Sequence, residues 1–142
     1  MLSAQTTPDT DWSCYGGDAG GMRYSRLTQV NPGNVAKHKV AWVFHTGDVS
    51  DGKHGKQRSG FESAPILVDG FLILTTGFNR VIAVNPQTGG LQWAYDPKID
   101  PTWDYGDALV NRGVATWLDP ARKGTLLSHA GAAFTKQRWM PG

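Results

Sequence analysis

Cysteine is almost missing from this sequence. Cys14 stands alone, which excludes an intrachain disulfide and a cysteine-based zinc site. Long apolar runs are missing too: nowhere do 18 apolar residues follow one another, so no helical membrane span is expected. There is no excess of one charge. Fourteen Lys and Arg face twelve Asp and Glu, a net charge of +2, not gathered into a stripe, so nucleic acid is not an expected partner. Residues 1–11 have neither the basic start nor the apolar stretch of a secretory signal and read as a disordered lead. If the protein is exported, its signal lies outside this chain. His38, His45, His54 and His129 form no i, i+4 pair and no Cys/His cluster, so they read as solvated or locally bonded rather than as metal ligands. No Gly-x-Ser-x-Gly elbow supports a serine hydrolase. The run Gly16-Gly17-Asp18-Ala19-Gly20-Gly21 lacks the Lys-Ser/Thr of a phosphate loop and follows no strand; it reads as a flexible, close-packed segment.

What is abundant is turn chemistry and aromatic surface. The 142 residues, one domain or less, include 18 Gly, 8 Pro and 6 Trp, and that density of turn formers points to many short strands. Residues 40–45 read as a short strand stopped by Thr46-Gly47-Asp48, and residues 48–60 as an exposed polar loop. From residue 65 the pattern is clearest. Ile66-Leu67-Val68 is a strand, Asp69-Gly70 a tight hairpin signal, and residues 71–75 the returning strand. A third strand spans residues 81–84 after a turn around Gly77. A fourth spans residues 91–95 after the turn cluster Asn85-Pro86-Gln87-Thr88-Gly89. Four short antiparallel strands in about 30 residues match one blade of a β-propeller. Val40-Ala41-Trp42-Val43-Phe44 echoes Leu91-Gln92-Trp93-Ala94-Tyr95, with the two tryptophans 51 positions apart, a period that propeller repeats show. Aromatics at repeat positions ordinarily pack between blades, so Trp42 and Trp93 are placed in the core and not as platforms for a flat ligand.

The run Ala83-Val84-Asn85-Pro86-Gln87-Thr88-Gly89-Gly90-Leu91-Gln92-Trp93 resembles the tryptophan-docking repeat of the quinoprotein dehydrogenases, eight-bladed propellers that use pyrroloquinoline quinone (PQQ). Three further stretches are similar to the same family: Asp11-Trp12 with Tyr15-Gly16-Gly17-Asp18 and Arg23-Tyr24-Ser25; Leu27-Thr28-Gln29-Val30-Asn31 with Val35 and Val40-Ala41-Trp42; and Val110-Asn111-Arg112-Gly113-Val114-Ala115, which resembles the family's cofactor loop. The resemblance implies an all-β fold, a partial β-propeller comprising the first one to two blades, over residues 12–119. Gly106 and Asp107 stand where some alcohol-oxidising members carry adjacent cysteines, which argues against the methanol dehydrogenase branch; the flavour leans towards the membrane-type glucose dehydrogenases. Residues 122–142 show no strand alternation and no further Thr-Gly turn followed by Trp. Residues 120–142 read as a divergent tail, expected from a truncated or frame-shifted reading frame.

Three residues carry the expected cofactor chemistry. A guanidinium holds carboxylate or quinone oxygens through parallel hydrogen bonds and keeps its charge. On a loop it is ordinarily a solvated charge; the resemblance places Arg112 at the cofactor, with Asn111 beside it. Glu62, in Gly60-Phe61-Glu62-Ser63-Ala64-Pro65, matches a family glutamate at the cofactor's rim. A carboxylate beside a carboxylated ligand needs a shared proton or a cation, and the plainer reading of Glu62 is an edge charge that discourages strand pairing. For the intact enzyme the resemblance implies oxidation of an alcohol or aldose. Ca²⁺ would act as Lewis acid, a carboxylate would act as base, and electrons would pass to ubiquinone or a cytochrome, in the periplasm and in some members at the inner membrane. The calcium ligands and the base of the family lie beyond this chain. The chain is therefore expected to hold no catalytic residue and to be inactive alone. A second reading is a non-catalytic propeller module that uses the docking repeats for protein contacts.

Overall fold

The structure, a computed structural model, describes residues 11–106, 108–119, 124–129 and 136–138, with side chains up to residue 116. Among the described residues the regular elements are strands, apart from one 3-10 turn at Val35–Lys37, joined by long irregular connections. Strands β1 (Ile66–Val68), β2 (Phe71–Thr75), β3 (Val81–Val84) and β4 (Leu91–Tyr95) form an antiparallel meander in that spatial order. These are the four strands that the sequence pattern predicts. Strands β5 (Val114–Asp119), β6 (Gly124–His129) and β7 (Lys136–Arg138) form a second, three-stranded antiparallel sheet.

Local chemistry sets the first sheet's register. Asp69 and Gly70 both have positive φ, +51° and +76°, the backbone of a two-residue hairpin turn whose twist matches the flanking strands. Val68 therefore faces Phe71, and Ile66 faces Ile73. The register of β3 against β4 shifts between Ala83 and Val84, a bulge that bends the outer strand. Beyond it, the Asn85 carboxamide accepts from the amides of Gln87 and Thr88 at 2.8 and 3.0 Å, and Gly89 N donates to Asn85 O at 2.8 Å.

All four residues of β3 are buried because both faces of the sheet are covered, which is why Val-Ile-Ala-Val shows no polar alternation. On one face Ile66, Val68, Ile73, Val81 and Ala83 pack with Val114 of β5, under Phe71, Trp93 and Tyr95. On the other, Leu74, Ile82 and Val84 lie under Trp42, Phe44 and Leu72. Each buried aliphatic side chain contributes about 1.5–3 kcal/mol, so these two layers are the main source of cohesion.

Three expectations meet a different outcome. Residues 40–45 form no ladder. No described segment runs beside them to accept their backbone hydrogen bonds, although the period-two pattern survives: Trp42, Phe44, Thr46 and Asp48 are half-buried, while Val43, His45 and Gly47 are exposed. The chain here lies across the sheet face instead of extending its edge. Secondly, β6 and β7 fall inside the stretch expected to lack strands; β6 pairs with β5 from Val114↔His129 to Asp119↔Gly124. Thirdly, the glycine run at residues 16–21 is turn structure closed by its own backbone. Gly17 N donates to Cys14 O, Gly21 N to Asp18 O, and Arg23 N to Gly16 O at 2.8–3.0 Å. Close packing holds there, since a Cβ on Gly17 would fall 2.9 Å from the Trp12 ring. Trp12 itself bridges Leu67, its N and O pairing at 2.8 and 3.0 Å along the free edge of β1. The lead at residues 1–10 and Asp107 lie outside the described residues.

Candidate functional site

The two connections that lead into β1 and β5 meet at one end of the first sheet. Ser59 bridges Leu109 in a parallel sense. Leu109 N donates to Arg58 O, Gly60 N to Leu109 O, and Ala64 N to Arg112 O at 3.1, 3.1 and 3.4 Å. The β2–β3 turn closes the same end. Gly77 sits where these chains cross: a Cβ there would lie 2.6 Å from Leu109 O and 3.1 Å from Gly60 O, so no other residue fits without moving backbone. The end of β2 is tied in by Ser63, whose hydroxyl accepts from Thr75 N at 3.1 Å and lies 3.0 Å from Thr75 Oγ1.

This frame brings the predicted residues together. Arg112 Nε lies 3.4 Å from Glu62 Oε2, with both side chains more than half exposed. An exposed pair of this kind contributes about 0–1 kcal/mol, too little to be the reason the fold holds together. It does place a cation beside the Glu62 carboxylate. Asn111 is placed differently from its neighbours: it is 2 % exposed. Its Nδ2 donates to Asn79 Oδ1 at 2.8 Å, and its Oδ1 accepts from Gly113 N at 3.0 Å. Its carboxamide is thus engaged inside the protein, one residue before the exposed Arg112. Gly113, at φ +143°, has a backbone that only glycine adopts readily.

Several residues of this end carry no sequence signal. Asn79 is buried with φ +58°, a conformation asparagine tolerates better than most residues. Asp48, with a side chain 7 % exposed, pairs with Arg80 at 2.7 Å; the same Arg80 nitrogen donates to Thr46 O at 3.0 Å. Gln57 grips the backbone of Tyr105 from both sides, its Nε2 donating to Tyr105 O and its Oε1 accepting from Tyr105 N at 2.9 and 3.0 Å. These partners are 32 to 48 positions apart, so no local motif announces them. The other candidates behave as surface or core. His38, His45 and His54 are exposed, and among the described residues no three His, Cys, Asp or Glu side chains gather as a metal site. The side chain of His129 lies outside the described residues.

Trp42 docks as a repeat aromatic should. Its indole Nε1 donates to Pro86 O at 3.0 Å, and its ring covers Gly89 so closely that a Cβ there would lie 2.6 Å from it. The tryptophan of one repeat thus rests on the Thr88-Gly89 turn of the next. Residues 12–139 match the family described as "PQQ: Glucose/ethanol/alcohol dehydrogenase, beta-propeller domain". The chain belongs to this family. It is 35 % identical over 119 residues to the quinohemoprotein alcohol dehydrogenase of Comamonas testosteroni, covering 82 % of this chain and 16 % of that one. It is 39 % identical over 106 residues to the quinoprotein glucose dehydrogenase of Escherichia coli K12, covering 69 % of this chain and 13 % of that one. The crystal structure of the Comamonas enzyme superposes with a TM-score of 0.61 at 30 % identity, over 84 % of this chain and 16 % of that one. A europium-containing methanol dehydrogenase superposes with the same TM-score at 22 % identity, covering 86 % of this chain and 20 % of that one, a likeness of fold. The chain therefore spans about a sixth of the relatives it matches and is a partial propeller. Glucose- and alcohol-oxidising relatives match at similar identity, so identity does not single out the glucose branch.

Proposed function

We propose that this chain supplies one wall of the cofactor site in a PQQ-dependent dehydrogenase that oxidises an alcohol or an aldose. Arg112 holds oxygens of the cofactor and Glu62 lines its rim. The observation that carries this reading is the meeting of Glu62 and Arg112, 3.4 Å apart and open to solvent, at the end where both inter-strand connections converge. The donor set fits a planar tricarboxylate. A guanidinium offers five N–H groups in a fixed fork, and its charge offsets that of Glu62 when a second acid approaches. PQQ, when bound, supplies the two-electron acceptor. The residues of this chain bind and orient it. The alcohol and glucose dehydrogenase names of the relatives support the substrate class. The Ca²⁺ ligands and the catalytic base that the resemblance implies lie beyond this chain. Electrons leave to ubiquinone or a cytochrome, in the periplasm and at the inner membrane; no described helix is long and apolar enough to cross that membrane.

The test uses the full-length protein, loaded with PQQ and Ca²⁺ and assayed by cofactor absorbance after gel filtration. Arg112→Ala is expected to weaken PQQ retention by at least tenfold, the scale of a lost charge-assisted pair, while the apo protein melts as before. Retention unaffected by Arg112→Ala removes that residue from the site. No retention even in the unmodified protein favours a non-catalytic propeller module.

A further inference from the structure

The guanidinium of Arg112 is exposed, yet the residue before it, Asn111, is among the most buried polar groups described. Asn111 Oδ1 accepts from Gly113 N, closing a small ring around the Arg112 backbone, an Asx-type turn. Asn111 Nδ2 donates to Asn79 Oδ1. Asn79 is itself locked in the β2–β3 turn: its N donates to Thr76 O at 3.0 Å, Thr76 N donates to Arg80 O at 3.0 Å, and Arg80 N donates to Thr76 Oγ1 at 3.2 Å. The turn is tied to a separate part of the chain through the Arg80–Asp48 pair. A carboxamide-to-carboxamide bond between two buried asparagines thus connects the blade's inner turn to the loop that carries Arg112.

We propose that Asn79 is a positioning residue for the cofactor site, acting through Asn111 to fix the direction in which Arg112 leaves the backbone. The inference rests on the assignment of Arg112 to the cofactor, but its geometric half stands apart from it. A long, flexible arginine contributes to recognition in proportion to how little freedom it loses on binding. Here that freedom is restricted at its root by a hydrogen bond sheltered from water, where such bonds are strongest. Asparagine serves at position 79 for two reasons: it accepts φ +58° and it presents an acceptor oxygen to Asn111. Glycine satisfies the first requirement only.

Asn79→Gly in the full-length protein separates the two. In the apo protein, hydrogen exchange of the Gly113 amide is expected to rise about tenfold, the scale of one lost buried hydrogen bond, while the amides of β3 keep their protection. With PQQ added, affinity is expected to fall about tenfold for Asn79→Gly alone and to show no further fall when it is combined with Arg112→Ala, since neighbours acting through one group are not additive. Asn79→Asp, which keeps an acceptor oxygen, is expected to restore both readouts towards the unmodified protein. Asn79→Ser is too short to reach Asn111; it carries the expectation of Asn79→Gly and replaces it where that variant does not fold. Unchanged exchange at Gly113 overturns the coupling. An equal loss of PQQ affinity in the Arg112→Ala background overturns the route through Arg112. Faster exchange at Gly113 together with PQQ binding that ignores Arg112→Ala upholds the coupling and instead removes Arg112 from the cofactor.

Discussion

Gly70 and Gly89 look alike in sequence, each the glycine of a turn, and both have positive φ, +76° and +71°. Their surroundings differ. A Cβ on Gly70 meets nothing within 4 Å, whereas one on Gly89 meets the Trp42 ring at 2.6 Å. Gly70→Ala is therefore expected to cost about 1 kcal/mol from backbone strain alone, and Gly89→Ala about 3 kcal/mol, since the indole must lift off. Denaturant melts of the full-length protein distinguish the two. A second residue-scale expectation concerns Asp11. Its burial, together with the neighbouring Asp69 carboxylate, raises its pKa, against a smaller opposing backbone hydrogen bond. The folded state thus holds this proton more tightly than the unfolded chain does. The associated stability is present at low pH and is lost as pH rises through the raised value. Asp11→Asn mimics the protonated form, so it is expected to raise the melting temperature at neutral pH and to give no gain below about pH 4, where both forms are neutral.

Among the elements, β3 is the keystone of the first sheet. Ile82 is fully buried under Trp42 and Phe44, so Ile82→Ala is expected to cost about 3 kcal/mol, read by the same melts. Asp48 anchors the preceding chain to the start of β3 through Arg80. Asp48→Ala leaves a largely buried guanidinium without its counter-charge and is expected to cost about 2 kcal/mol. The meander itself was legible because its turns are chemically explicit: Asp69-Gly70 and Asn85 to Gly89 leave few alternatives. Glu62 and Arg112 became candidates only through resemblance, for neither composition nor spacing marks a lone Glu and a lone Arg 50 positions apart. What stayed hidden depends on partners far along the chain. Asn79 with Asn111, and Asp48 with Arg80, lie 32 positions apart, and Gln57 with Tyr105 lie 48 apart. Residues 40–45 kept a strand's alternation without a strand's ladder, because periodicity reports which side faces the core and says nothing of whether a neighbour is there to pair.

At the scale of the whole chain, apolar surface is left open along one stretch: Leu27, Val30, Val35, Val40, Val43 and Val49 are all more than half exposed. Expressed on its own, the 142-residue chain is expected to bind a hydrophobic dye strongly and to reduce no electron-accepting dye with glucose or ethanol, PQQ and Ca²⁺. Weak dye binding, or turnover, would contradict this. The seat of Trp42 on Gly89 has a practical corollary for anyone recombining such enzymes. Indole and seat belong to successive repeats, so the inherited stretch of gene and the physical joint are out of step. A crossover placed between them asks one parent's ring to sit on another parent's turn. Hybrids that keep both halves of the joint from a single donor should outlive those that divide it.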